Sequence, residues 1–167
     1  MNSKGEIIME FELLEKNYKY LSNIEMTYLN GHDFIETSNI AYFIANHFAK
    51  FNMEIDSDFI FVDLSEDPQS QHIIAFTKES IYDFIYNEQG IEKLKLNIFS
   101  NKISDLSLQY ESLSSINNKC NDIETYPKIP SFKINLKDGV SFDIPLNKNK
   151  ISVEPITLYK KFISDLL

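Results

Sequence analysis

The chain has 167 residues, 43% hydrophobic and 13% aromatic, enough for one sizeable core and too little for two ordinary domains. Its net charge of -9, with every basic side chain a lysine, argues against nucleic acid and anionic lipid as partners, since both call for clustered cations and favour the arginine fork. Cys120 is the only cysteine, so no internal disulfide forms. With no secretory signal and no apolar run of bilayer length, the expected compartment is the cytoplasm.

In chain order, Phe11, Leu14, Tyr18, Leu21, Ile24 and Tyr28 recur every three or four residues, which predicts a helix over about Met9 to Leu29 with "EIIMEF" leading into it. Gly31 is a C-terminal stop. Thr37 or Ser38 caps a second helix carrying Ile40, Ile44, His47, Phe48 and Phe51. After "NMEIDSD" the period becomes twofold. "FIFVDL", "HIIAFT", "SIYDFIYN", "KLKLNIF" and "ISDLSLQYE" read as strands of an antiparallel meander, separated by turn chemistry. A polar stretch from Ser114 to Pro130 reads as the longest loop.

The most legible segment follows. In "FKINLKDGVSFDIPL", Phe132, Ile134 and Leu136 alternate with lysines and asparagine, and Val140, Phe142, Ile144 and Leu146 resume the phase after Asp138-Gly139. This predicts a hairpin with one core face, in which Asp-Gly supplies the positive φ angles of a tight turn. Pro145 marks an edge or a strand end. A last helix starts at Pro155, with Leu158 or Tyr159, Phe162, Ile163 and Leu166 inward.

Two helices, seven antiparallel strands and a terminal helix make an α+β chain. Residues 1–167 are expected as one domain, with a helical pair over 9–52 and the strands and last helix over 58–167. From about Phe59 onward the order resembles the pleckstrin-homology (PH) fold, including its bacterial PH-like and GRAM-like forms. "HIIAFTKESIYDFIY" is similar to the central hairpin, "EKLKLNIFSNKISDLSLQYE" to the next strand pair, and the Phe132–Leu146 segment with "ITLYKKFISDLL" to the closing hairpin and capping helix. The resemblance implies a seven-strand barrel plugged by the final helix. Phe162 is the nearest substitute for the tryptophan that eukaryotic members carry in that helix. The family binds phosphoinositides through basic residues on its first strand pair. "VDLSEDPQSQH" carries acids there, so what carries over is the use of the fold as a protein-binding scaffold. A cystatin-like or nuclear-transport-factor-like cone is the rival architecture.

No catalytic constellation stands out. His32 and Asp33 in "NGHDF", with His47, are the one candidate cluster for an enzyme, and an interhelix loop and rim residues are the plainer reading. His72 reads as a surface residue at a strand end. Three dispersed histidines and Cys120 make neither a metal site nor an activated thiol, and the acids Glu54, Asp56, Asp58, Glu66 and Asp67 lack the glycine-centred calcium loop. No cofactor is expected. Tyr20 and Tyr42 fall out of phase with their helix stripes, and Tyr126 is an aromatic held by Pro127 and Pro130, so these five residues are the candidate partner-binding set. The expected function is non-enzymatic protein binding, with homo-oligomerisation left open. The rival is an acidic inhibitor or immunity-type protein of a mobile element that blocks a basic site.

Overall fold

The structure is a computed structural model that describes residues 4–24, 39–89, 93–109, 131–145 and 150–166. It is an α+β arrangement of helices and two antiparallel sheets, dividing into two compact units, Met1–Asn101 and Lys102–Leu167. Among the described residues no helix is long and apolar enough to cross a membrane.

In the first unit, α1 (Lys4–Ser22) and α2 (Asn39–Lys50) pack on each other. On α2, Ile40, Ile44 and Phe48 form one buried row and Ala41, Ala45 and Ala49 a second. Small side chains at four-residue spacing let the neighbouring helix approach closely. α1 begins before the expected Met9 and ends at Ser22, well short of Leu29. Ser22 returns its hydroxyl to the Tyr18 carbonyl (2.9 Å), and Asn23 and Ile24 bond back three residues, tightening and closing the turn. α2 is closed by Asn52, in the left-handed region at φ 56°, with Met53 N–H donating to Phe48 O at 2.8 Å and Asn52 N–H to Ala49 O at 3.0 Å. That is a Schellman closure with asparagine where glycine is usual. Phe51, expected on the core stripe, falls in this turn and is exposed.

The helices cover a four-stranded sheet in the order β1 (Ile60–Asp63), β2 (Ser70–Phe76), β3 (Ser80–Asn87), β4 (Leu94–Ser100). Phe61, Ile73, Ala75, Tyr82 and Phe84 join Leu21 and the apolar rows of α2 in one core. The strand alternation puts Ile60, Val62, Ile74, Phe76 and Ile81 on the opposite face, where they too are buried.

The second unit is a three-stranded sheet, β5 (Ile103–Gln109), β6 (Ser131–Leu136) and β7 (Ser141–Pro145), with α3 (Pro155–Leu166). Phe132, Ile134, Leu136, Phe142 and Ile144 are buried while Lys133, Lys137, Ser141 and Asp143 are exposed, as the alternation predicts. Phe162 and Leu158 are fully buried, and the Phe162 ring meets Phe132 edge-on at 5.6 Å. Leu166, expected inward, is exposed. Pro145 closes the outer strand β7, where a missing N–H does no harm.

Two expectations are corrected. The hairpin turn is three residues long, Lys137–Gly139. Gly139 N–H donates to Leu136 O (3.0 Å), Leu136 N–H to Val140 O (2.8 Å), and only Gly139 has positive φ, at 95°. This is a turn followed by a glycine bulge, not a two-residue turn with both φ positive. The seven strands also form two open sheets rather than one closed barrel, because β4 and β5, expected as a pair, part company. Asn101 N–H donates to Glu79 O (3.3 Å) at the end of the first sheet, and the next residue, Lys102, accepts from Lys137 N–H (3.0 Å) at the end of the second. Each half of the two-residue link is therefore held by a different sheet.

Candidate functional site

Asn17 sets the position of α1. Fully buried, its Nδ2 donates to Met53 O (3.1 Å) and Ala45 O (3.4 Å), and its Oδ1 accepts from Ile55 N–H (2.9 Å). One side chain so ties α1 to α2 and to the segment after it, and every polar atom of the amide has a partner. Lys16 adds an exposed ion pair to Glu54 at 2.6 Å.

With α1 fixed there, its outer side and the end of the sheet enclose a groove of about 1290 Å³. Phe11, Leu14 and Tyr18 come from α1, Tyr42, Phe43 and Asn46 from α2, Tyr86 from β3 and Leu94 from β4, with Lys93 just before that strand. Phe11 is 58% exposed, Tyr42 54% and Leu94 49%. The Tyr18 and Tyr42 rings meet edge-on at 6.4 Å, and Phe43 is braced against Phe84 at 5.3 Å. Glu12, Glu15, Lys16 and Lys19 supply charges of both signs along the α1 side. An aromatic floor with a mixed-charge rim is the anatomy of a protein-recognition surface. Phe11, expected on the core stripe, is instead the most exposed hydrophobic residue lining the groove.

The structure separates the sequence-predicted residues. Tyr42 lines the groove. Tyr20 is half-buried against the core, with its hydroxyl pKa pushed up by burial and by the nearby Asp56 carboxylate. Tyr126, Pro127 and Pro130, like His32, Asp33 and Cys120, lie outside the described residues. His47 sits among Phe48, Phe51, Tyr82 and Phe84, and burial, with Lys50 adding to it, lowers its pKa. Asp56 accepts from Asp58 N–H (2.9 Å), and Asp58 lies 3.9 Å from Lys78, so these acids serve a turn and an ion pair. Among the described residues no group of three potential metal ligands converges.

His72 is corrected from a surface residue to half of a pair. Its Nε2 meets Asp83 Oδ1, and the other carboxylate oxygen accepts from Asn97 Nδ2 at 3.5 Å. His72 faces Ile85 in the β2–β3 ladder, which makes Asp83 its diagonal neighbour on the same face. An eleven-residue separation hides this from any local motif. A carboxylate orienting an imidazole is half of a nucleophilic site. The Ser65 hydroxyl is engaged by the His72 backbone, accepting from its N–H at 2.8 Å and donating to its carbonyl at 3.4 Å. The pair reads as a part-buried polar tie across three strands.

No protein-family model, curated protein or solved structure matches this chain.

Proposed function

We propose that this chain is a non-enzymatic protein-binding module of the cytoplasm, and that its binding surface is the groove between α1, α2 and the β3–β4 end of the first sheet. The observation that carries the reading is the exposure of Phe11, Tyr42 and Leu94 around a single recess of about 1290 Å³. Large aromatic side chains held half out of the core are costly in water and are the side chains that anchor protein interfaces. The mixed charge of the rim favours a partner segment that is apolar at its centre over a purely basic one. The PH-like scaffold belongs to the same proposal: the order of seven strands in antiparallel ladders followed by a terminal helix supports it.

Phe11→Glu and Tyr42→Glu, combined in one chain, test the proposal by comparative affinity purification and mass spectrometry. Because both side chains are more exposed than buried, the variant should keep its far-UV circular dichroism and melting temperature while losing proteins captured by the parent. An unchanged set of captured proteins refutes the groove as the site. The exposed acids Asp56, Asp58, Glu66 and Asp67 support the inhibitor reading as the alternative. Under it, capture survives the groove substitutions and collapses in high salt.

A further inference from the structure

The two ends of the first sheet are built differently. β1, at one end, is four residues long and buried at each of them. β4, at the other, runs for seven residues, and among the described residues no strand pairs with its outer side. Leu94, Leu96 and Ile98 lie opposite Tyr86, Phe84 and Tyr82, and so share the face on which the helices pack. Leu94 and Ile98 are nonetheless 49% and 55% exposed. A long edge strand with an uncovered apolar face is a template for another strand.

The residues of β4 indicate which strand. Directly opposed residues in an antiparallel ladder share a face, so each register can be read for the pairs it makes. Let β4 meet a second copy of itself with Leu96 at the centre. Leu96 then faces its own counterpart, Leu94 faces Ile98 of the second copy on both sides of the axis, and Lys95 faces Asn97. Moving the centre to Lys95 sets two ammonium groups against each other. Moving it to Asn97 sets Leu94 against Ser100 and Lys95 against Phe99. On the face shared with the helices, the Leu96 register alone matches all three apolar residues with apolar partners, and it keeps lysine away from lysine; on the other face it sets Phe99 opposite Lys93, which precedes the strand. A strand from another protein would place no such symmetry on the β4 sequence.

We propose that two copies of this chain associate through antiparallel pairing of β4 across a two-fold axis at Leu96, joining their four-stranded sheets edge to edge. Leu94 belongs to both surfaces, but Ile98 does not line the groove and Phe11 and Tyr42 lie on the helices, so the variants that test this association and the groove reading fail separately.

Light scattering on the full chain should give twice the 19.5 kDa chain mass, and Ile98→Lys should return it to one chain mass with an unchanged circular dichroism spectrum. Disulfide trapping in a Cys120→Ser background fixes the register. Leu96→Cys should cross-link to itself under mild oxidation. Ile98→Cys should not, because its counterpart lies four residues along the ladder, about 13 Å away, and it should cross-link when mixed with Leu94→Cys. A single chain mass at the highest soluble concentration overturns the proposal, as does a dimer that Ile98→Lys leaves intact. Self-linking of Ile98→Cys without that of Leu96→Cys overturns the register and the proposal with it.

Discussion

Asn17→Ala removes the whole amide that fastens α1. Two of its hydrogen bonds are short, 3.1 Å to Met53 O and 2.9 Å from Ile55 N–H, while the third, 3.4 Å to Ala45 O, is long. Counting about 1 kcal/mol for each short bond and about 1 kcal/mol more for leaving the buried Ile55 N–H without a partner, the expected loss is about 3 kcal/mol. Urea unfolding followed by circular dichroism and tyrosine fluorescence measures it. Asn17→Asp separates hydrogen bonding from packing. The introduced carboxyl keeps the acceptor for Ile55 N–H but, when ionised, turns negative charge toward two carbonyl oxygens. It should be less stable than the alanine variant at pH 7 and recover relative to it as the pH falls through the carboxylate range. An alanine variant within 0.5 kcal/mol of the parent, taken as about the smallest meaningful difference, would refute the assignment of Asn17 as the tether.

Three further outcomes follow from the same structure. Gly139→Val should cost about 1 kcal/mol or more through backbone strain alone, since a Cβ there meets nothing within 4 Å while φ is 95°; an unchanged urea midpoint would contradict the glycine bulge. Phe142→Ala, at a buried position opposite Ile134, should cost about 3 kcal/mol or somewhat more by the same assay, and a neutral result would mean the face is wrong. His47 is held below its ordinary pKa of 6.5, so the unfolded chain binds the extra proton first. Its contribution is complete above about pH 6.5 and declines as the pH falls toward the lower folded value. The stability difference between parent and His47→Phe should accordingly be flat above neutrality and shift against the parent in mildly acidic solution, and a pH-independent difference would contradict the burial of the imidazole.

What the sequence revealed was what depends on neighbours along the chain. Period-two runs located all seven strands, and Phe132 to Ile144 showed their buried face directly, because alternation is local. Asp138-Gly139 announced a turn but not its length, since Asp-Gly suits both two- and three-residue loops and the choice rests on where Leu136 and Val140 pair. The split into two sheets was hidden. A two-residue link reads as a hairpin turn, and only the distant carbonyl of Glu79 and the distant N–H of Lys137 pull its halves apart. In the groove, Tyr42 was visible as an out-of-phase aromatic. Phe11 and Leu94 were not, because each keeps the apolar period of its element and loses its cover only in three dimensions. Asn17 and the His72–Asp83 pair have partners 11 to 38 residues away, and a polar residue in an apolar pattern carries no record of what will satisfy it.

Every ladder in the two sheets joins strands adjacent in sequence, and this bears on the order in which the chain organises itself. Four of the five ladders join their strands across short connections, so those contacts form at little entropic expense. β5 is different. Gln109 pairs with Ser131, leaving twenty-one residues between them, whereas four separate β6 from β7. By loop length alone, closing the longer span costs about 1.5 kcal/mol more. The β6–β7 hairpin should consequently gain amide protection first in pulsed hydrogen exchange, with β5 docking onto a ribbon already formed, and trimming residues 110–130 should speed the later phase while leaving the earlier one alone.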